Sequence, residues 1–323
     1  MIYTVTGPVS KDELGMTLSH EHIKWGSPFA QHMYFTGAYD DEEVDELFKT
    51  LLPVFNSLYA AGCRAVAEAS PPFGGQNLRL MYRLSRTSGV RIIANTGRAL
   101  PAYTYHIHST NYYQELAERW IRDFEEGLET IETTVVRPSH IKIFTGDETL
   151  HPFQKQGIRA ALIASKATGL PIHCHIWKAQ LAEEVMDLLE QEETDYTRFC
   201  WSHASQDPDN AVLARAAATG MWLGFDLITP DRYQSHCELI KNAIVGNYEN
   251  RILLSQDVDF HEQASQDKVA NCSALFTGFI PYCEEQGIDS QVLRRVLREN
   301  PANYFYVEDE GPRRTPDTER HLW

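Results

Sequence analysis

The chain has 323 residues, long for one ordinary domain but a common size for an α/β barrel, and its 43% hydrophobic and 23% charged residues suit a sizeable core. Lys and Arg total 29 against 45 Asp and Glu, a net charge of -16 that argues against nucleic-acid binding and against docking on anionic membranes. The six cysteines (Cys63, Cys174, Cys200, Cys237, Cys272, Cys283) form no Cys-x-x-Cys pair and read as buried free thiols. No secretory leader is visible and no apolar run reaches membrane-spanning length, so the expected setting is cytoplasmic and reducing.

Residues 3–9 read as a small strand or hairpin with a Gly-Pro turn. Gly15-Met16-Thr17-Leu18-Ser19-His20-Glu21-His22 is then a short apolar run ending in two histidines one residue apart. In a β-strand, His20 and His22 share a face and Glu21 takes the other, and two imidazoles on one face can bind one metal ion. Alone, such a pair is a weak signal. Residues 24–40 are irregular and aromatic. Residues 41–61 carry an acidic start and an apolar stripe (Val44, Leu47, Phe48, Leu51, Leu52) and predict a helix. From there short apolar runs alternate with helical patterns. Strands are expected at 64–69, 90–96 (closed by Gly97), 140–144, 171–175, 199–203, 221–225 and 251–255. Helices are expected at 78–88, 113–130, 153–168, 180–191, 209–219, 235–245 and 291–299, with a loop over 258–278. Eight strands each followed by a helical segment make a parallel (β/α)8 TIM barrel the economical fold. No linker or change in composition divides it. One domain over 1–323 is expected, with the hairpin at 3–9 and a polar C-terminal extension at 308–323.

Barrel active sites lie at the C-terminal ends of the strands. The polar residues there are His20 and His22 (strand one), Lys142 (four), His175 (five), His203 (six) and Asp257 just past strand eight. A single strand-end histidine is commonly a packing residue, but ionisable groups converging on one mouth are costly to bury without a purpose. His173 shares the face of His175 one layer deeper and is a rival ligand. Glu21 and Glu68 read as structural or supporting residues, and His106, His108, His151, His236 and His261 as surface residues. Arg98 after strand three and Arg232 after strand seven are candidate anchors for an anionic substrate group. Trp25, Tyr103, Tyr105 and Trp177 offer aromatic walls.

The runs Thr4-Val5-Thr6-Gly7-Pro8, Leu14 through His22, Ile141-Lys142, Ala167 through His175, Ser202-His203, Ile252 through Asp257, and Glu299 through Phe305 resemble the phosphotriesterase-like family of the amidohydrolase superfamily, in order along nearly the whole chain. The resemblance implies a binuclear metal hydrolase. It implies His20, His22 and Asp257 as ligands of the more buried ion, and His175 and His203 as ligands of the more exposed one. It implies Lys142 as the bridge, carboxylated on Nζ, because an ammonium would repel a cation whereas a carbamate offers two oxygens. A hydroxide shared by the two ions would be the nucleophile, and Asp257 would shuttle its proton. Zinc suits the histidine-rich set, with manganese, cobalt or iron also compatible. Lactonases, aryl esterases and phosphotriesterases occur in such a family. The first expectation is a lactonase for a small, sugar-derived or anionic lactone. Alternatives are a phosphotriester or carboxylester hydrolase, or a catalytically silent ligand-binding barrel. Dimers are usual among such proteins, making a homodimer one expectation. The segment after strand eight lacks the family's common glycine-rich, tyrosine-bearing stretch, so substrate choice does not carry over.

Overall fold

In the computed structural model, which describes residues 1–25, 41–72, 74–98, 112–146 and 148–308, the apolar runs pair edge to edge as parallel strands. Strand one is Thr17–Glu21, two Ala65–Glu68, and three Arg91–Ile93 continuing as Asn95–Arg98. Four is His140–Phe144, five Ile172–His175, six Phe199–Ser202, seven Trp222–Phe225 and eight Ile252–Leu254. One ladder runs from strand one to the first half of strand three, and a second from its other half to strand eight. Chain continuity at Ala94 joins them. The ring closes between strands eight and one, where His22 N–H donates to Val258 O (3.0 Å) and Phe260 N–H to His22 O (2.8 Å). This is a (β/α)8 barrel.

The strands form because both of their faces are buried. Outward residues such as Leu18, Val66, Ile92, Ile141, Ile172, Leu223 and Leu254 pack against the apolar stripes of the surrounding helices. Inward, Ala65, Ala67, Ile93, Cys200, Trp222 and Leu253 meet Ile2, Leu14, Tyr304 and Phe305 in a separate apolar cluster that fills the lower barrel. Strand one breaks the alternation. Its pairing with strand two shifts register between Leu18 and Glu21, so His20 turns inward although Leu18 packs outward.

Several boundaries differ from the sequence reading. The helix expected over 113–130 is Tyr112–Glu125, and Glu129–Ile131 pairs antiparallel with Thr134–Val136. Gly127, at φ 96, makes the break, and a Cβ there would lie 2.4 Å from Val135 Cγ1. Strand three does not close at Gly97 but runs through it to Arg98. The loop expected over 258–278 holds helical turns, Phe260–Ser265, Val269–Ser273 and Leu275–Phe279, because Asp259 caps the first by accepting from Glu262 N–H. The last helical stretch is longer than expected, Ser290–Arg294 continuing through Arg295–Glu299 to Asn300–Tyr304. The N-terminal hairpin forms as Ile2–Thr4 with Gly7–Val9. Residues 309–323 of the expected extension lie outside the described residues, as do Tyr103, Tyr105, His106 and His108. All six cysteines are buried and free. Among the described residues no helix is long and apolar enough to cross a membrane.

Candidate active site

Side chains from strands one, four, five and six and from the turn after eight meet at the C-terminal mouth. Asp257 is the hub: its Oδ1 lies 3.2 Å from His22 Nε2 and 3.5 Å from His20 Nε2, and its Oδ2 lies 3.7 Å from His203 Nδ1. Lys142 Nζ sits 3.1 Å from His20 Nε2, and the rings of His175 and His203 are 4.4 Å apart. Among the described residues, two triads bring one ligand atom each within 4.8 Å of one another: His20, His22 and Asp257, and His20, His203 and Asp226.

The backbone is bent to aim these groups. His203 (φ 68) and Asp257 (φ 51) lie just past the ends of strands six and eight in the left-handed region. That costs a side-chain-bearing residue about 1–2 kcal/mol and typically marks a functional site. Strand three adapts too. Gly97 (φ +127) pairs with Lys142, and a Cβ there would lie 1.9 Å from the Lys142 carbonyl oxygen, so only glycine lets the two strands meet.

Burial sets the charge states. Lys142 is fully buried, which pushes its ammonium down to about 8 against the pull of Asp257 and Asp226. Burial, with the charge of Lys142, lowers His20 and drives His175 to about 3, and burial beside His175 and His20 holds His203 well below the ordinary histidine value. For Asp257 burial pushes upward, but His20, His22 and His203 outweigh it and hold the carboxyl well below its usual range. Neutral imidazoles facing an ionised carboxylate are the protonation states a divalent cation requires. His203 Nδ1 and Asp226 Oδ1 are moreover buried without a hydrogen-bond partner, a costly arrangement for a site meant to hold only protein. The donor set therefore fits a metal ion.

The next layer orients the mouth. Glu21, fully buried, accepts from Ser255 Oγ–H (2.7 Å), Gln256 N–H (2.7 Å) and Val258 N–H (3.0 Å), fastening the turn that carries Asp257. Burial nevertheless pushes its carboxyl up to about 8. Glu68 accepts from the N–H groups of Ile23 and Ser70, and Ser70 Oγ lies 2.8 Å from His22 Nδ1. Phe144 and Trp177 stack on His175 at 5.2 and 5.4 Å, with interplanar angles of 26° and 14°. Trp25 lies 4.6 Å from the His22 ring and 6.1 Å from that of Phe144.

Comparison with known proteins decides the family, because the sequence profile of the Phosphotriesterase family matches residues 1–305. The chain belongs to the phosphotriesterase family. Relatives include a phosphotriesterase homology protein of Escherichia coli, 25% identical over 303 residues that cover 92% of this chain and 100% of that protein. An aryldialkylphosphatase of Saccharolobus solfataricus is 22% identical, covering 92% and 96% respectively. An N-acetyltaurine hydrolase of Tetraodon nigroviridis is 23% identical, covering 94% and 97%. Such members are hydrolases, and this phosphotriesterase-family chain is a hydrolase with histidine and aspartate groups placed to hold metal.

The other residues singled out in the sequence take varied places in this family member. His173 lies below the mouth, its Nε2 3.2 Å from His20 Nδ1, and belongs to neither metal-capable triad. Arg98 is half-buried at the end of strand three. Arg232 is exposed and donates to Gln206 Oε1 in the segment after strand six, while Trp177 stands at the mouth, 37% exposed. His236 corrects the expectation of a surface residue. It is 2% exposed, with Nδ1 3.0 Å from Arg232 O and Nε2 2.8 Å from Asp226 O, because its helix, Tyr233–Val245, packs its ring onto the end of strand seven. Sequence reasoning missed Asp226, although a carboxylate directly after strand seven meets the same strand-end rule that selected the others. It also missed Gly97, Phe144 and Ser202.

Proposed function

We propose that this phosphotriesterase-family hydrolase opens a small lactone, and that His20, His22, Asp257, His175, His203 and an Nζ-carboxylated Lys142 hold two divalent ions, zinc first among them. The convergence of Lys142 and three imidazoles around Asp257 at the barrel mouth is the observation that carries this reading. When bound, the ions supply Lewis-acid polarisation of the scissile carbonyl or phosphoryl oxygen and activation of water at neutral pH.

The chain's own groups do the rest. Asp257, held ionised by its imidazole neighbours, accepts the proton of the attacking water on a carboxylate oxygen and delivers it to the leaving alkoxide. With its ammonium lowered to about 8, Lys142 exposes enough free amine near neutral pH to add carbon dioxide. Phe144 and Trp177 pin His175 between two rings. Trp25 and Trp177 form apolar walls that suit the flat ring of a small lactone, exclude water and leave the ester carbonyl facing Asp257. Arg98, Arg232 and Trp177 are the proposed substrate contacts. The proposed setting is cytoplasmic, with a small ester as the only partner apart from a second copy in a homodimer.

A phosphotriester or aryl ester hydrolase is the second reading, favoured by the aryldialkylphosphatase among the relatives. A panel of lactones scored by acid release, beside paraoxon-type triesters, aryl esters and N-acetyl amides, separates the readings. Lactone turnover exceeding the others supports the first, and triester turnover exceeding lactone turnover replaces it with the second. No turnover at full metal content leaves a ligand-binding barrel.

A further inference from the structure

Asp226 follows strand seven, is fully buried, and plays no part in the ligand set proposed above, on which the following inference builds. Its Oδ2 accepts from His203 N–H (2.8 Å) and Ser202 Oγ–H (3.5 Å) and lies 3.4 Å from both His20 Nδ1 and His203 Nδ1. Its backbone is fastened independently: the N–H donates to Ser205 Oγ (3.1 Å), and the carbonyl accepts from Ser205 Oγ–H (3.1 Å) and Gln206 Nε2 (3.1 Å). A carboxyl group clamped at one place and turned toward the inner nitrogens of two site histidines is placed to set both rings.

The hydrogen-bond directions can be followed from fixed ends. Ser202 Oγ–H is directed to Asp226 Oδ2, so Ser202 Oγ is left to accept from His20 Nδ1 at 2.8 Å. From below, Tyr304 O–H donates to the Ile172 carbonyl (2.9 Å), so Tyr304 Oη accepts from His173 Nδ1–H (3.4 Å), and His173 Nε2 offers a lone pair to His20 Nδ1 (3.2 Å). Both chains put the proton of His20 on Nδ1. Its Nε2 lone pair then faces Lys142 and Asp257, where a cation would sit. At His203, Nδ1 stands 3.4 Å from this carboxyl and 3.7 Å from Asp257 Oδ2 without a hydrogen bond, so Asp226 acts on this residue through the backbone N–H it accepts.

We infer that Asp226 is a positioning residue that, through Ser202, fixes the tautomer of His20 and, through the His203 N–H it accepts, fixes where the His203 ring stands for metal binding. Removing such a partner typically weakens metal binding about 10- to 100-fold.

The test uses Asp226→Asn, which keeps the shape but turns one oxygen into a donor, and Ser202→Ala, which cuts only the link to His20. Two readouts apply. Proton–nitrogen correlation spectra of metal-stripped, histidine-labelled protein report tautomers directly. Titration with Co(II) against a chromophoric chelator reports affinity, with the ligand-field spectrum as a signature of geometry. The expected result is Nδ1–H at His20 in the parent protein. In Asp226→Asn, a mixed or reversed tautomer at His20 and about 10- to 100-fold weaker Co(II) binding are expected; in Ser202→Ala the His20 Nδ1–H signal should shift while His173 keeps the proton on Nδ1. An unchanged His20 tautomer in Asp226→Asn, or an unmoved His20 Nδ1–H signal in Ser202→Ala, would overturn the inference. If Asp226→Asn fails to fold, Ser202→Ala decides. The tautomer spectra need no metal, so a parent protein that bound no Co(II) would defeat the proposed function and leave this inference separately testable.

Discussion

Replacing Gly97 with alanine should break the site through the backbone of strand four, without touching any side chain of the mouth. The added Cβ would stand 1.9 Å from the carbonyl oxygen of Lys142 and 2.7 Å from its nitrogen. That is about 1 Å inside the closest approach real Cβ atoms make, and the obstacle is backbone that cannot swing away. A left-handed φ of +127 adds about 1–2 kcal/mol for a non-glycine residue. Overpacking adds about 1–3 kcal/mol, for a combined loss of about 2–5 kcal/mol. A retreat of Lys142 by about 1 Å should cost about 100-fold in turnover. Gly127→Ala is the control. It carries similar strain at φ 96, but its Cβ meets the Val135 side chain and, at 3.2 Å, the Val136 carbonyl oxygen, both in the hairpin and away from the site residues, so it should lose stability and keep its metal. Urea unfolding of both variants, with hydrolysis and metal content measured in parallel, reads the difference. A Gly97→Ala protein within about 1 kcal/mol of the parent and equally active would refute the reasoning.

Trp177→Ala should leave stability within about 1 kcal/mol, because the ring is already 37% exposed. Losing its stack on His175 and the apolar wall should cut kcat/KM by about 10-fold, checked by steady-state kinetics beside thermal melting. Burial holds His236 below the ordinary histidine value, so the unfolded chain binds this proton more readily. Its contribution to stability is therefore intact above about pH 6.5 and is lost as pH falls below that value, and His236→Gln should flatten this limb of a stability–pH curve from chemical denaturation. Stripping metal with a chelator should lower Tm by several degrees, since a ligand at about 100 times its Kd stabilises by about 2.7 kcal/mol, and re-addition of Zn(II) should restore it.

The barrel was legible because each strand is a short apolar run bounded by turn residues and followed by a helical stripe. His20, His22, Lys142, His175, His203 and Asp257 stood out because the strand-end rule puts polar residues at one mouth. Asp226 satisfies the same strand-end rule but stands alone after Trp222-Leu223-Gly224-Phe225 with no histidine beside it, and only the closed barrel shows it turned toward His20 and His203. The hairpin over Glu129–Val136 was hidden because the helical stripe persists in sequence to Leu128, and the break depends on the φ of Gly127. The helical periodicity around His236 gave no sign that its ring reaches the strand-seven end. The inward turn of His20 rests on a register shift with strand two, which depends on a partner strand rather than on the strand's own residues.

Elemental analysis of the purified protein beside Lys142→Ala tests the proposed metal centre most directly. Lys142 is the one proposed bridge, fully buried 3.1 Å from His20 Nε2. The parent should carry close to two divalent ions per chain, and Lys142→Ala should lose most of both metal and hydrolysis. Hydrolysis at full rate by the metal-free parent, or two ions retained in Lys142→Ala, would contradict it.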